Sequence, residues 1–372
     1  MPKPVYLDYN STTPLAQEVF EAMLPYFIHE FGNSSSRTHL YGQTSQAAVE
    51  AARQKIADLL NCQNYEIYFT SGATESDNIA LFGVMHEKAK EGKTHLITTD
   101  IEHKAVLEPA KQLEKEGIQV TFIKPEASGI INPDHIRNAI TPKTGLISVH
   151  FVNNEIGTIQ PVEEIALIAH EAKILFHTDA AQGIGKCLLN LQNIDLMSFS
   201  GHKLYGPKGV GCLYIKKHIP KIKIQPLFFG GGQEKGIRPG TLPTPLIVGL
   251  AKALEMTQQL YRCLPAIQIK ARDQFLQKLE AENIAFKING DLNRRISNNL
   301  NICFPGKDAE ALMLRLRDKI AISSGSACTS DNYQGSYVLK ALGLSEYEAR
   351  CSVRIGFHDR IDIDPKDLRM QP

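Results

Sequence analysis

The 372-residue sequence holds seven cysteines but no C-x-x-C pair; they stand far apart, at positions 62, 187, 212, 263, 303, 328 and 351. That spacing excludes the clustered ligands of a zinc or iron–sulfur cage and the framework of a disulfide-stapled fold. Charge of one sign is also lacking: 41 basic residues face 40 acidic ones, for a net charge of +1. Without a dense basic block there is no electrostatic footprint for nucleic acid or for an anionic membrane surface. No apolar run reaches the length of a membrane span, and the opening MPKPVYLDYNSTTP has no signal-peptide core. These absences lead us to expect a cytoplasmic protein with reduced thiols, no membrane or direct nucleic-acid partner and no resident metal. Internal repeats and low-complexity linkers are missing as well.

What is present is the composition of an ordinary soluble globular chain, 43% hydrophobic and 22% charged. Its length calls for a large α/β domain with a smaller one attached. YEIYFT, THLITT, QVTFI, GLISVHFV, ILFHTD and LMSFS read as strands, with amphipathic stretches such as ESDNIALFGVMHEKAKEG and PVEEIALIAHEAK between them. Strands rich in Ile, Val and Phe that alternate with helices predict a mainly parallel sheet covered on both faces. After residue 240 two long helical stretches precede a compact α+β unit. We therefore expect a large domain over 15–250, with 1–14 and 251–372 forming the smaller one. Cys212 in GVGCLYIK and Cys303 in NLNICFP fit buried strands.

In such sheets ligands gather at the carboxyl ends of the strands. FTSGATESDN puts a Ser-Gly-Ala-Thr turn ahead of a helix, a place where free N–H groups and the helix dipole suit a phosphate, although a plain capped helix start reads the same way. It is no Walker loop, for no G-K-[ST] follows, and no G-x-G-x-x-G suggests a dinucleotide. FHTDAAQGIG places Asp179 at a strand end with Gln182 three residues on, either a partner for a protonated ring nitrogen or a helix cap. SFSGHKLYGPKGVG places Lys203 after another strand, where an amine can form a Schiff base, although most lysines face solvent. Together these are the parts that pyridoxal phosphate needs. Cys328 differs from the other thiols: SSGSACTSD surrounds it with small, hydroxylic residues, as in an exposed loop.

In order, SGATESDN, EHKAV, VNNEIG, HTDAAQ, SFSGHKLYGPKGVG, GGGQEKGIRPGTLPTP and SSGSACTSDNYQGSYVLKALG resemble the NifS/IscS-type cysteine desulfurases, pyridoxal-phosphate enzymes of the class V aminotransferase family. The resemblance runs from YLDYNSTTP to SVRIG. It implies fold type I, with a mainly parallel seven-stranded sheet in the large domain and the cysteine loop on the smaller α+β domain. It implies that Lys203 is the Schiff-base lysine, that Asp179 holds the pyridinium nitrogen and that Gln182 bonds the ring hydroxyl. His103 would stack on the ring and shuttle protons. Ala73, Thr74, Ser200 and His202 would bind the phosphate, and Thr241 would reach the phosphate of the partner subunit in a homodimer. Asn154 would lie beside the ring and the substrate, and Arg354 would pair with the substrate carboxylate.

The activity implied is conversion of L-cysteine to L-alanine, with the sulfur taken as a persulfide on Cys328. An acceptor protein, an iron–sulfur scaffold or a tRNA-thiolation carrier, would then receive it. The resemblance also makes Cys328 a candidate transient ligand of a cluster. After Arg354 the chain reads IGFHDRIDIDPKDLRMQP where the family more often has an SLGR-like continuation, a departure that bears on the choice of acceptor. A selenocysteine lyase would share these residues. A catalytically silent interaction protein of the same fold would not require the lysine, aspartate and cysteine together.

Overall fold

A computed structural model describes residues 3–324 and 335–369. In chain order its strands are β1 (Val5–Tyr6), β2 (Ile67–Thr70), β3 (His95–Thr99), β4 (Gln119–Ile123), β5 (Thr144–Ser148) and β6 (Leu175–Asp179). They continue with β7 (Leu196–Ser200), β8 (Gly211–Ile215), β9 (Lys287–Ile288), β10 (Asn299–Cys303), β11 (Ile320–Ala321) and β12 (Ser352–Gly356). Seven of them form one sheet in the order β2-β8-β7-β6-β5-β3-β4. The pairs from β7 to β4 are parallel, and only β8 runs against its neighbours. This is the seven-stranded, mostly parallel sheet that the sequence resemblance implied.

The two-residue period of the strands sends alternate side chains to opposite faces. Ile67 and Phe69, Ile97, Ile147, Met197 and Phe199 join one core, with the helices Gln17–Met23, Leu40–Leu60, Val162–Glu171 and Thr244–Leu260. Their neighbours Tyr68, Leu96, Leu146 and Leu196 join another, with the helices Ala73–Lys90 and Lys104–Lys115. Burial on both sides is why these strands read as continuous apolar runs.

The smaller sheet is antiparallel, in the order β12-β10-β9. Leu300, Ile302, Val353 and Ile355 pack there with Phe275 and Leu279 of the helix Leu264–Ala281, and Leu7 belongs to the same core. The first strand reaches this unit by parallel pairing with β11 and by a bridge from Asp8 to Gly356. The division expected at residue 250 falls inside the helix Thr244–Leu260. Ile247 and Leu250 before the cut and Ala253 and Leu254 after it all lie in the first core. The apolar face of this helix packs back onto the large sheet. Among the described residues no helix is long and apolar enough to cross a membrane.

Candidate active site

At the carboxyl ends of the parallel strands lies a cavity of about 450 Å³, within the range of small-molecule sites. Its walls include Ala73, Thr74, His103, Asn154, Asp179, Gln182, Ser200, His202, Lys203 and Arg354. Thr241 is exposed and does not line it. It does not cap the following helix either, since the cap position falls on Pro243 with no side-chain bond. Cys328 lies outside the described residues.

Lys203 sits in the tight turn Gly201–Lys203 that follows β7. Its Nζ donates to the carbonyls of Asn10 at 2.8 Å and Ser11 at 2.6 Å. Burial, reinforced by the charges of Arg354 and Lys186, pushes its pKa down to about 7. The amine therefore loses its proton near neutrality, as a nucleophile or base must. Asp179 ends β6 and accepts the Ala181 N–H at 2.9 Å. Burial pushes its pKa up, while the nearby His103 and the Ala181 N–H act to lower it. His103 precedes the helix Lys104–Lys115, and its Nδ1 accepts the Ala105 N–H at 3.1 Å. That bond assigns the ring proton of the neutral form to Nε2. Burial, with Lys203 nearby, holds the ring below its ordinary pKa.

The helix Ala73–Lys90 begins at Gly72 with no side chain capping its first N–H groups. A Cβ built on Gly72 would meet only Ser200 Oγ, at 3.9 Å, which leaves the start of the helix open to an anion. Gly211 on β8 lies so close that a Cβ there would come within 2.6 Å of the Gly72 backbone. His202 contacts Thr12 Oγ1 through Nδ1 at 3.1 Å, and burial followed by Lys203 brings its pKa down to about 4. It is therefore a neutral group at physiological pH.

The N-terminal stretch contributes more than the sequence reading assigned to it. The Asn10 carbonyl accepts from both Lys203 and Gln182, the latter at 2.7 Å, and the Asn10 side chain reaches Gln182 and Asn299. Arg354 donates to Asp8 at 2.8 Å, to Ser11 Oγ at 2.6 Å and to the Asn154 carbonyl at 2.9 Å. Its buried Nε has no hydrogen-bond partner among the described residues. Asn10, Ser11, Glu75, His150 and Lys208 also line the cavity and were missed. YLDYNSTTP was already the first matched segment, but nothing in its composition tells that its backbone carbonyls hold a lysine from the turn after β7.

The family profile described as Aminotransferase class-V matches residues 5–363. The Cysteine desulfurase IscS of Rickettsia felis is 46% identical over 95% of this chain and 86% of its own length. The chain belongs to the class-V aminotransferase family, within its cysteine desulfurases. Among solved structures, a NifS-like protein shares the fold at a TM-score of 0.89 and 34% identity, covering 98% of this chain and 96% of that one. SspA, solved in complex with cysteine, aligns at a TM-score of 0.84 and 40% identity, over 96% of this chain and 99% of its own.

The donor set suits the pyridoxal phosphate that this family's resemblance implied. An uncapped helix start can take a phosphate, a buried carboxylate can take a protonated ring nitrogen, and a buried amine with a lowered pKa can take an aldehyde.

Proposed function

We propose that this chain converts L-cysteine to L-alanine and passes the sulfur to its own Cys328, using pyridoxal phosphate held in the cavity at the strand ends. The observation that carries the reading is the convergence of Lys203, Asp179, His103 and Arg354 on one cavity in a chain of this family. When bound, the cofactor supplies an aldehyde for an amine and a ring that withdraws charge from the substrate α-carbon.

The chain's own residues have separate tasks. The N–H groups of Ala73 and Thr74, with Ser200 and His202, bind the phosphate. Asp179 holds the ring nitrogen, Gln182 the ring hydroxyl, and His103 covers the ring with Asn154 beside it. Arg354 orients the substrate carboxylate. With its proton lost near neutrality, Lys203 takes the α-proton. The Cys328 thiolate attacks the substrate sulfur: an S–S bond forms, the C–S bond breaks, and the carbon left behind takes a proton to become alanine. What supports the reach of Cys328 is how its flanks are held. Ser323 pairs through its backbone with Arg354, while Ser336 bonds Glu155 and Tyr337 bonds the Glu102 carbonyl at 2.6 Å.

We further propose a cytoplasmic homodimer in which Thr241 completes the neighbour's phosphate site, and a sulfur-acceptor protein as the downstream partner. The smaller unit then comprises residues 1–14 and the chain after the helix Thr244–Leu260. Selenocysteine is a second candidate substrate for the same residues. Anaerobic incubation with L-cysteine and a reducing thiol tests the reading: alanine and sulfide should appear in equal amounts. Absence of both, from protein shown to hold pyridoxal phosphate, would refute it.

A further inference from the structure

Beneath the cavity three carboxylates converge, and the mechanism uses only one of them. Asp179 ends β6; Glu102 lies in the turn after β3, just before His103; Asp77 is on the helix Ala73–Lys90. Glu102 and Asp77 are fully buried. Asp77 stands 3.5 Å from His177 Nε2, and neither of its oxygens has a hydrogen-bond partner among the described residues. Burial first, and then Asp179, pushes its pKa up, with Ser198 acting to lower it. His177 cannot serve as a counter-ion, because burial drives its pKa to about 3.

Glu102 is oriented from several sides. Its carboxylate accepts the His150 backbone N–H at 3.0 and 3.1 Å and the Thr99 hydroxyl at 2.8 Å. The His150 ring then folds back so that Nδ1 lies 2.9 Å from Glu102 Oε1. His150 is 3% exposed and lines the cavity with Asp179. Its position follows from the sheet: Val149 N–H bonds the His177 carbonyl and Phe151 N–H bonds the Asp179 carbonyl. His150 is thus fixed between those two bonds, just past the end of β5 and beside the end of β6, where Asp179 sits. Neither ring nitrogen makes a directed hydrogen bond with any described residue.

We propose that His150 is a positioning residue: as the buried counter-ion of Glu102, it cancels the charge that Glu102 would otherwise direct at Asp179, and so keeps Asp179 a carboxylate able to hold the cofactor's ring nitrogen. The groups that face Asp179 agree with this. Burial and Glu102 push its proton affinity up, while His103, the Ala181 N–H and His150 push it down. Lys203, Lys208, His202 and Arg354 are the other basic groups that line the cavity. Removing His150 leaves Glu102 unopposed, whereas removing both members of the pair removes the disturbance with its remedy.

The inference rests on the reading of the cavity as a pyridoxal-phosphate site, and its test has one arm that does not depend on that reading. In apo-protein labelled at histidine, the His150 ring resonance, assigned by its loss in His150→Gln, should show the imidazolium form at about pH 7.5. Glu102→Gln should return that resonance to the neutral form. In the second arm, pyridoxal phosphate is titrated into apo-protein at about pH 8. His150→Gln should weaken binding by about tenfold or more, and His150→Gln with Glu102→Gln should bind within about threefold of the parent. A neutral His150 in the parent apo-protein, parent-like binding by His150→Gln, or a double variant no tighter than the single would each overturn the proposal. If His150→Gln does not fold, as judged by circular dichroism, the resonance is assigned instead by its loss in His150→Asn, and its response to Glu102→Gln decides. A parent protein that takes up no pyridoxal phosphate would refute the reading of the cavity, while the resonance arm would still report on the pair.

Discussion

Lys203 is the residue whose environment most changes its chemistry. With a pKa near 7 when folded against an ordinary 10.5, it sheds a proton that the unfolded chain retains between those values. Stability therefore rises with pH across that window, and the full burden of burying the amine is felt below about pH 7. Apo-protein carrying Lys203→Met should resist urea better than the parent at neutral pH. That advantage should shrink steadily as pH is raised toward 10.5. The same substitution should abolish the visible absorbance of lysine-bound cofactor. Cys328→Ser has the opposite signature: it should keep that absorbance and its response to cysteine, yet form no protein persulfide detectable by mass spectrometry. Normal alanine production by that variant without an added thiol would show that the sulfur goes elsewhere. Lys203 was legible because it stands just after a strand-like run, and Cys328 because small, hydroxylic residues surround it. His150 was not legible, because its role depends on a strand pairing and on a carboxylate from a different turn.

Among elements, β8 and the helix Ala73–Lys90 show how a backbone contact shapes the site. β8 is the one strand of the large sheet that opposes its neighbours, and it brings Gly211 against Gly72 at the helix start. Gly211→Ala would force its Cβ to within 2.6 Å of the Gly72 backbone and of the Phe199 carbonyl. Overpacking of this kind costs roughly 1–3 kcal/mol, and the helix start must shift. We expect a lower melting temperature together with weaker uptake of pyridoxal phosphate and of inorganic phosphate, measured by calorimetry. Unchanged phosphate affinity would show that the helix start is not the cradle. The strands themselves were well read: QVTFI and LMSFS coincide with β4 and β7. Periodicity identifies a strand or a helix but not what it packs against. That is why the helix Thr244–Leu260 was divided between two units when its buried face belongs to one.

At the scale of the whole molecule, the exposed apolar residues Phe27, Ile28, Phe31, Leu40 and Tyr41 lie close in sequence, with Phe31 and Tyr41 in ring contact. Exposed apolar side chains grouped in this way are candidates for a contact surface, and they accord with the proposed homodimer. Thr241→Ala should weaken cofactor binding although Thr241 lies outside the cavity of its own subunit. Sedimentation of dilute, cofactor-loaded protein as a fully active monomer would contradict a shared site. The N-terminal stretch carries a further consequence. Leu7 and Tyr9 donate to Ala321 and Gly356, Asp8 and Ser11 receive Arg354, and the carbonyls of Asn10 and Ser11 hold Lys203. Segments 346 residues apart in sequence thus meet in one wall. A nascent chain can assemble its large sheet as it emerges, at roughly 5–20 residues per second. The wall that grips the lysine amine cannot close until β12 is in place, so a product truncated before β12 should not hold the Lys203 amine in this way.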